Sequence, residues 1–322
     1  MSKTDSTTSL GSHLLSLLDW SGEQVHGVLD RAAAIKANPA SHAGTLGGVH
    51  AVMLFEKPSL RTRVSFEIGL SRLGAHALFY DTGGTRLGAR ESVHDYACNL
   101  ERFCDLVVAR VFSHEALTEF AGAMDRSLCI NALSDRFHPC QGLADVLTIS
   151  EWAARERRDL SSLKVAFVGE GNNVCHSLML ACARVGVQRF TWLGPEGYEP
   201  APDIVEASRS GGLEVTLSQD LTAVSGSHVV YTDTWISMGD ESEAERRRST
   251  FAAYTIDDRV MAAGADGCIF MHCLPAHRGE EVTDAVIDSD ASVVFDQAEN
   301  RMWAQMGLCV EMLRGGATGN RQ

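Results

Sequence analysis

Short apolar runs alternate along this chain with segments whose apolar residues recur every three or four positions. Residues 49–54, 75–79, 106–111 and 128–131 read as short buried strands, the last of them weaker. Residues 64–73 place Phe66, Ile68, Leu70 and Leu73 as one helix face does, and 93–103 and 115–123 repeat that habit. Residues 142–157 carry Leu143, Val146, Leu147 and Ile149 and then turn charged, which predicts a helix bridging two halves. After Ser161 the pattern restarts, with strands expected at 164–168, 190–193, 214–217, 229–232, 268–271 and 293–295. A helix is expected at 174–185 and a last one at 300–313. Strands alternating with helices predict an α/β chain of two domains, each a mostly parallel sheet flanked by helices. No internal repeat or low-complexity tract interrupts the pattern. The strongly polar stretch 240–248 predicts a solvated helix with Glu–Arg pairs.

Length agrees with two domains, because 322 residues exceed what one core of ordinary size holds. Hydrophobic content of 45% and charged content of 22% are those of a globular chain, and no apolar run is long enough to span a bilayer. Residues 1–10 are polar and lack the features of a secretory signal or organelle presequence, which predicts a cytoplasmic protein with a frayed tail there and at 315–322. Nine scattered cysteines without a Cys-x-x-Cys pair predict buried free thiols rather than a disulfide framework. A formal charge of −14 argues against nucleic acid and acidic membranes as partners.

The most telling stretch is Ser59-Leu60-Arg61-Thr62-Arg63, which stands where a strand gives way to a helix N-terminus. The first N–H groups of a helix are unpaired and its dipole is positive there, so two hydroxyls and a guanidinium make a good phosphate cradle. The same residues also fit a plain capped helix, with Ser59 or Thr62 as N-cap and the arginines solvated.

The string F-E-K-P-S-L-R-T-R-V-S-F-E around these residues resembles the carbamoyl-phosphate loop of the aspartate and ornithine carbamoyltransferases. H-P-C-Q at 138–141, D-T-W-I-S-M-G at 233–239, H-C-L-P at 272–275 and A-E-N-R at 298–301 come after it in the family's order. The last three strings are similar to the ornithine branch, and the resemblance runs from about Leu14 to Leu313. It implies transfer of a carbamoyl group from carbamoyl phosphate to the δ-amine of L-ornithine, giving L-citrulline and phosphate. It also implies ordered binding with carbamoyl phosphate first, no metal or organic cofactor, and a homotrimer, or an assembly of trimers, with sites between subunits. The expected division is a carbamoyl-phosphate domain over 1–145, an ornithine domain over 146–299, and a terminal helix (300–322) returning to the first.

By the same resemblance Ser59, Leu60, Arg61 and Thr62 hold the phosphate, and Arg61 also reaches the carbonyl oxygen. Arg110 matches an arginine on phosphate and carbonyl, and Arg301 one near carbamoyl phosphate. His138 donates to the carbonyl oxygen, Gln141 accepts from the carbamoyl NH2, and the Leu274 carbonyl contacts that NH2. Asn173, Asp233, Ser237 and Met238 match ornithine-binding positions, and Cys273 lies near the δ-amino group. A δ-amine has a pKa of ~10, so its neutral form must be selected; a Cys273 thiol or thiolate beside Asp233, or the leaving phosphate, can serve. Negative charge on the protein surface is screened within ~8 Å at physiological salt. The expectation is therefore that Arg61, Arg63, Arg110 and Arg301 converge while the surface stays acidic.

Two positions depart from the family pattern. Arg86 stands in T-R-L-G where a glutamine is common, a residue that reaches a neighbouring subunit's carbamoyl phosphate in the family. Leu60 stands where threonine is common. Three rival readings compete. V-G-E-G-N-N at 168–173 invites a dinucleotide, but Val174 replaces the third glycine and no acid ends the next strand. His272, Cys273 and His277 suit zinc but match no standard spacing. Within carbamoyl transfer, aspartate, N-acetylornithine and putrescine are the competing acceptors.

Overall fold

The computed structural model describes residues 13–236 and 241–315. The expected tail at 1–10, residues 316–322 of the tail expected at 315–322, and Ser237, Met238 and Gly239 of the D-T-W-I-S-M-G string lie outside the described residues. The described chain forms two compact units: residues 13–15, 26–135 and 302–315 make one, and 16–25, 136–236 and 241–301 the other.

In the first unit, α1 (Gly22–Ala37) leads to four parallel strands, β1 (His50–Phe55), β2 (His76–Asp81), β3 (Leu106–Arg110) and β4 (Leu128–Leu133), in the order β2-β1-β3-β4. The connections are α2 (Leu60–Arg72), α3 (Val93–Leu100) and α4 (His114–Gly122). Each begins at a serine: Ser59, Ser92 and Ser113 accept hydrogen bonds from the N–H groups of Thr62, Asp95 and Ala116. β1 and β3 are buried almost throughout, as central parallel strands must be. β2 corrects the expectation of a buried strand: it is the edge strand, and Leu78 and Tyr80 are exposed.

The second unit starts with α5 (Pro139–Arg155) and holds β5 (Lys164–Val168), β6 (Arg189–Leu193), β7 (Glu214–Ser218), β8 (Val229–Thr232) and β9 (Ile269–His272), all parallel in the order β7-β6-β5-β8-β9. Its helices are α6 (Asn173–Arg184), α7 (Pro202–Ser210), α8 (Ala244–Phe251), α9 (Asp258–Ala262) and α10 (Asp284–Ile287). Asn172 caps α6, its Oδ1 accepting from the N–H groups of Val174 and Cys175.

The final helix, α11 (Val294–Gly315), begins six residues earlier than expected and takes up residues 294 and 295 of the predicted strand 293–295. Ser292 makes a single bridge to Phe270, and the chain then coils. The reason is the spacing of the buried positions along the helix. Val294, Gln297, Arg301 and Ala304 are buried at intervals of three and four, so the helical period outweighs a short β-branched run. The part of α11 in the first unit packs closely on α1. A Cβ at Gly307 would lie 2.6 Å from the Val28 carbonyl oxygen and 2.8 Å from the Ala32 nitrogen, so glycine is required for this approach. Arg31 and Glu311 pair at 2.7 Å beside it. Gly307→Ala is expected to lower unfolding free energy by about 1–2 kcal/mol in a urea titration, overcoming alanine's helix propensity. Among the described residues no helix is long and apolar enough to cross a membrane.

Strand order reverses between β1 and β3 in the first sheet and between β5 and β8 in the second. In open parallel sheets ligands bind outside the carboxyl ends of strands at such reversals. Glu56 to Thr62 follow β1 and Arg110 ends β3; Asn172 follows β5 and Asp233 follows β8.

Candidate active site

In the first unit the Ser59 hydroxyl accepts from the Thr62 N–H at 3.3 Å and donates to the Thr62 hydroxyl at 3.0 Å. Ser59 is thus the N-cap, and capping leaves the opening of α2 electropositive, so capping and anion binding are compatible. Arg61 is half-buried in the first turn, Thr62 is buried, and Leu60 turns its side chain outward, 76% exposed. Arg110 is buried at the end of β3, paired in register with Phe55. Glu56 is buried between the segments: it accepts from the Leu87 N–H at 2.5 Å and the Phe112 N–H at 2.7 Å. A single carboxylate therefore ties the loop carrying Arg86 to the strand end carrying Arg110.

Lys57, two residues before Ser59, was not among the residues expected at the site. Its ammonium lies 4.3 Å from the Phe112 ring centre, and the Arg86 guanidinium lies 4.6 Å from the same centre. Burial first, then the Arg110 charge, pulls the lysine below its ordinary pKa, while Asp135 and Glu56 oppose this and Arg86 adds to it. Lys57, Arg86 and Arg110 are thus near enough to repel one another, a cluster suited to an anion. Arg63, expected to converge with the others, is a correction. It pairs with Glu67 at 3.1 Å and lies 3.9 Å from the Phe79 ring centre, because the i,i+4 spacing on α2 and the neighbouring β2 ring offer a nearer partner.

In the second unit Asp233 follows β8 and Cys273 follows β9, and the adjacent strands bring them together. The Cys273 thiol donates to Asp233 Oδ1 at 2.9 Å, the Thr234 N–H donates to the same oxygen at 2.8 Å, and Asn172 Nδ2 donates to Oδ2 at 2.8 Å. Burial and then the Asp233 charge push the Cys273 thiol well up, so its sulfur is a protonated donor and not a thiolate. Asn173, expected at an ornithine-binding position, is half-buried as the first residue of α6; Asn172, one residue earlier, donates to Asp233.

The H-C-L-P segment bends sharply after Cys273. Leu274 has a φ of +59°, rare for a branched side chain, and precedes a cis peptide bond to Pro275. His272 holds the bend: it is fully buried, its Nδ1 accepts from the Leu274 N–H at 2.8 Å, and Nε2 faces Glu281 at 3.3 Å. Both ring nitrogens are therefore engaged. The metal reading built on His272, Cys273 and His277 does not match the grouping seen: among the described residues Asp233, His272 and Cys273 draw together, and His277 groups with Glu280 and Glu281.

Carbamoyl-site candidates lie on α5 and α11. His138 precedes Pro139, is buried, and its N–H donates to Ser177 Oγ at 2.7 Å. Gln141 is also buried, and its Oε1 accepts from Arg301 at 2.6 Å. The expected acceptor atom of Gln141 thus already holds Arg301. The stretch after β8 is less solvated than its composition suggests. Arg246 pairs with Glu243 at 2.7 Å as expected, but Arg247 is buried, donates to the Trp235 carbonyl at 2.5 Å and pairs with Glu170.

Two family models match the chain: the aspartate/ornithine carbamoyltransferase carbamoyl-P binding domain over residues 12–151, and the Asp/Orn binding domain over 161–312. The chain belongs to the aspartate/ornithine carbamoyltransferase family. It is 46% identical to an ornithine carbamoyltransferase of Shewanella oneidensis over 309 residues, 93% of this chain and 99% of that one. It is 44% identical to an ornithine carbamoyltransferase of Methanoculleus marisnigri over 307 residues, 94% of this chain and 97% of that one. The solved ornithine carbamoyltransferase of Pyrococcus furiosus superposes with a TM-score of 0.87 at 41% identity, covering 93% of this chain and 96% of that one.

Within a carbamoyltransferase, the glycines that invited a dinucleotide have another use. A Cβ at Gly171 would lie 2.1 Å from the Pro200 nitrogen, and the Gly169 carbonyl oxygen is approached so closely by Gly194, which follows β6, that a Cβ there would lie 2.5 Å away. They let loops pack against one another. Sequence reasoning also missed Asn172, Tyr231 and Gln297, whose residue types are ordinary in a cap, a strand and a helix; only the hydrogen bonds single them out.

Proposed function

We propose that this chain is an ornithine carbamoyltransferase: it transfers the carbamoyl group of carbamoyl phosphate to the δ-amine of L-ornithine, giving L-citrulline and phosphate. The observation that carries the acceptor is the Asp233 corner. There a carboxylate is held by the Cys273 thiol and the Asn172 amide at the carboxyl ends of neighbouring strands. An acceptor-only carboxylate set among fixed donors suits an ammonium group. A protonated Cys273 beside it suits a neutral amine, because a thiol hydrogen-bonds the lone pair without adding charge.

Carbamoyl transfer needs the leaving phosphate held, the carbonyl oxygen polarised and the amine delivered without its proton. Ser59, Leu60, Arg61 and Thr62 hold the phosphate through the opening of α2, with Arg110, Lys57 and Arg86 adding positive charge. Arg61, Arg110 and His138 stabilise the charge that grows on the carbonyl oxygen. Gln141, Arg301 and the Leu274 carbonyl orient the carbamoyl group; Asn173, Asp233, Ser237, Met238 and Cys273 orient ornithine. With Cys273 held as a thiol, the departing phosphate is the proton acceptor this reading favours. We place the enzyme in the cytoplasm, in arginine biosynthesis, as a homotrimer without metal or organic cofactor.

The test is a panel. Purified protein with carbamoyl phosphate is offered ornithine, aspartate, N-acetylornithine and putrescine in turn, and the ureido product is measured. Citrulline is expected to dominate. Preference for another acceptor overturns the ornithine assignment, and no ureido product from any of them overturns the activity.

A further inference from the structure

We propose that Asp145 is a positioning residue for carbamoyl transfer, a buried carboxylate that aims the Gln141 amide, the Arg301 guanidinium and, through Gln297, the backbone leading into Cys273. The proposal rests on the functional reading above and adds a residue that touches neither substrate.

Asp145 lies one turn after Gln141 on α5 and is completely buried. Its Oδ1 accepts from Gln141 Nε2 at 2.7 Å, from Gln297 Nε2 at 2.7 Å and from the Tyr231 hydroxyl at 3.3 Å. Gln297 Nε2 also reaches the Tyr231 oxygen at 3.0 Å, and Gln297 Oε1 accepts from the His272 N–H at 2.9 Å. One carboxylate thus ties together four elements that carry site residues: α5 with His138 and Gln141, β8 leading to Asp233, β9 leading to Cys273, and α11 with Arg301.

The chemistry of the groups fixes their orientation. A carboxylate only accepts and a guanidinium only donates, so Gln141 must point its nitrogen at Asp145 and its oxygen at Arg301. Without the carboxylate the amide is free to flip, and Arg301 loses both its acceptor geometry and a nearby charge. A purely structural role would be met better by an apolar side chain, since an ionised group buried this deeply is costly. Asp145 Oδ2 has no hydrogen-bond partner among the described residues, so this site is not built to satisfy the carboxylate fully.

Burial pushes the Asp145 carboxyl up to about 7, against the three donors and the Arg301 charge. The groups facing it are Arg301 from α11, Tyr231 from β8, Cys273 after β9 and Cys182 from α6. A raised carboxyl is ionised above that value and protonated below it. Protonation leaves Oδ1 able to accept but removes its negative charge, so the hold on the two glutamine amides and on Arg301 is stronger at higher pH and weakens as pH falls through about 7.

The experiment measures citrulline formation by the full chain at saturating substrates over roughly pH 6 to 9, with unfolding curves recorded in parallel. Wild type should show an inflection in kcat near the Asp145 value. Asp145→Ala should lower kcat by ~10- to 100-fold, the effect of misplacing groups that orient a reactant. Asp145→Asn should recover part of that loss, because its Oδ1 can still accept from both glutamines, and should lack the inflection. Tyr231→Phe removes a donor that favours the ionised form, so its inflection should move upward. Wild-type kcat in Asp145→Ala, or an inflection in Asp145→Asn at the wild-type position, overturns the proposal. If Asp145→Ala does not fold, an inflection unmoved in both other variants overturns it alone. Wild-type protein that makes no citrulline would instead overturn the functional reading.

Discussion

Arg61→Ala is expected to lower kcat for citrulline formation by roughly 10²–10³, the effect of removing one transition-state donor from an oxyanion site. Arg61 sits half-buried in the first turn of α2, where the Ser59 cap already consumes the Thr62 N–H. The helix will therefore form in the variant, and the loss should appear in kcat rather than in unfolding temperature. Arg63→Ala is the control. Its side chain is exposed and engaged by Glu67 and Phe79, and exposed pairs contribute little, so its kcat should stay close to wild type. Equal effects of the two substitutions would favour a general charge effect and remove the special role of Arg61.

Asp233→Asn should raise the KM for ornithine by about 100-fold or more, since truncating one partner of a desolvated charge pair costs ~2–5 kcal/mol. The same substitution reports on Cys273 directly. After burial, the Asp233 charge is the largest cause of the raised thiol. Removing it should lower the thiol pKa, so the pH–rate profile for alkylation of Cys273 by iodoacetamide should shift to lower pH. An alkylation profile that does not shift would separate the two residues and break the proposed corner. Asn172 adds a local consequence. Its Nδ2 donates to one oxygen of Asp233 while Cys273 and Thr234 donate to the other, so an amide at 233 leaves one acceptor oxygen for donors on both sides.

The strands and most helices were legible because burial on one face imposes a period of two or of three to four residues, and that period is written locally. The capped opening of α2 was legible for a related reason: a serine just after a strand, with a hydroxyl or N–H donor three residues on, is a local N-cap signal. The edge position of β2 was not legible, because an apolar strand reads the same at the edge and in the middle of a sheet. Nor was the coiling of residues 294 and 295, where a brief β-branched run gave way to the helical spacing of the residues after it.

Read along the chain, these residues already specify two alternating α/β halves, the five strings that place the chain among carbamoyltransferases, and the position of four of those strings at or beyond the end of a strand; the fifth, A-E-N-R, lies inside α11. Which polar groups meet depended on the folded sheets. Asp145 and Gln297 are 152 positions apart, and Asp233 and Cys273 are 40 apart, yet each pair is within hydrogen-bonding distance. The physical reason is range. Hydrophobic periodicity is set by neighbours a few residues away, whereas a thiol's proton, an amide's orientation and a carboxyl's charge are set by groups that only parallel strand pairing and buried packing bring within ~3 Å.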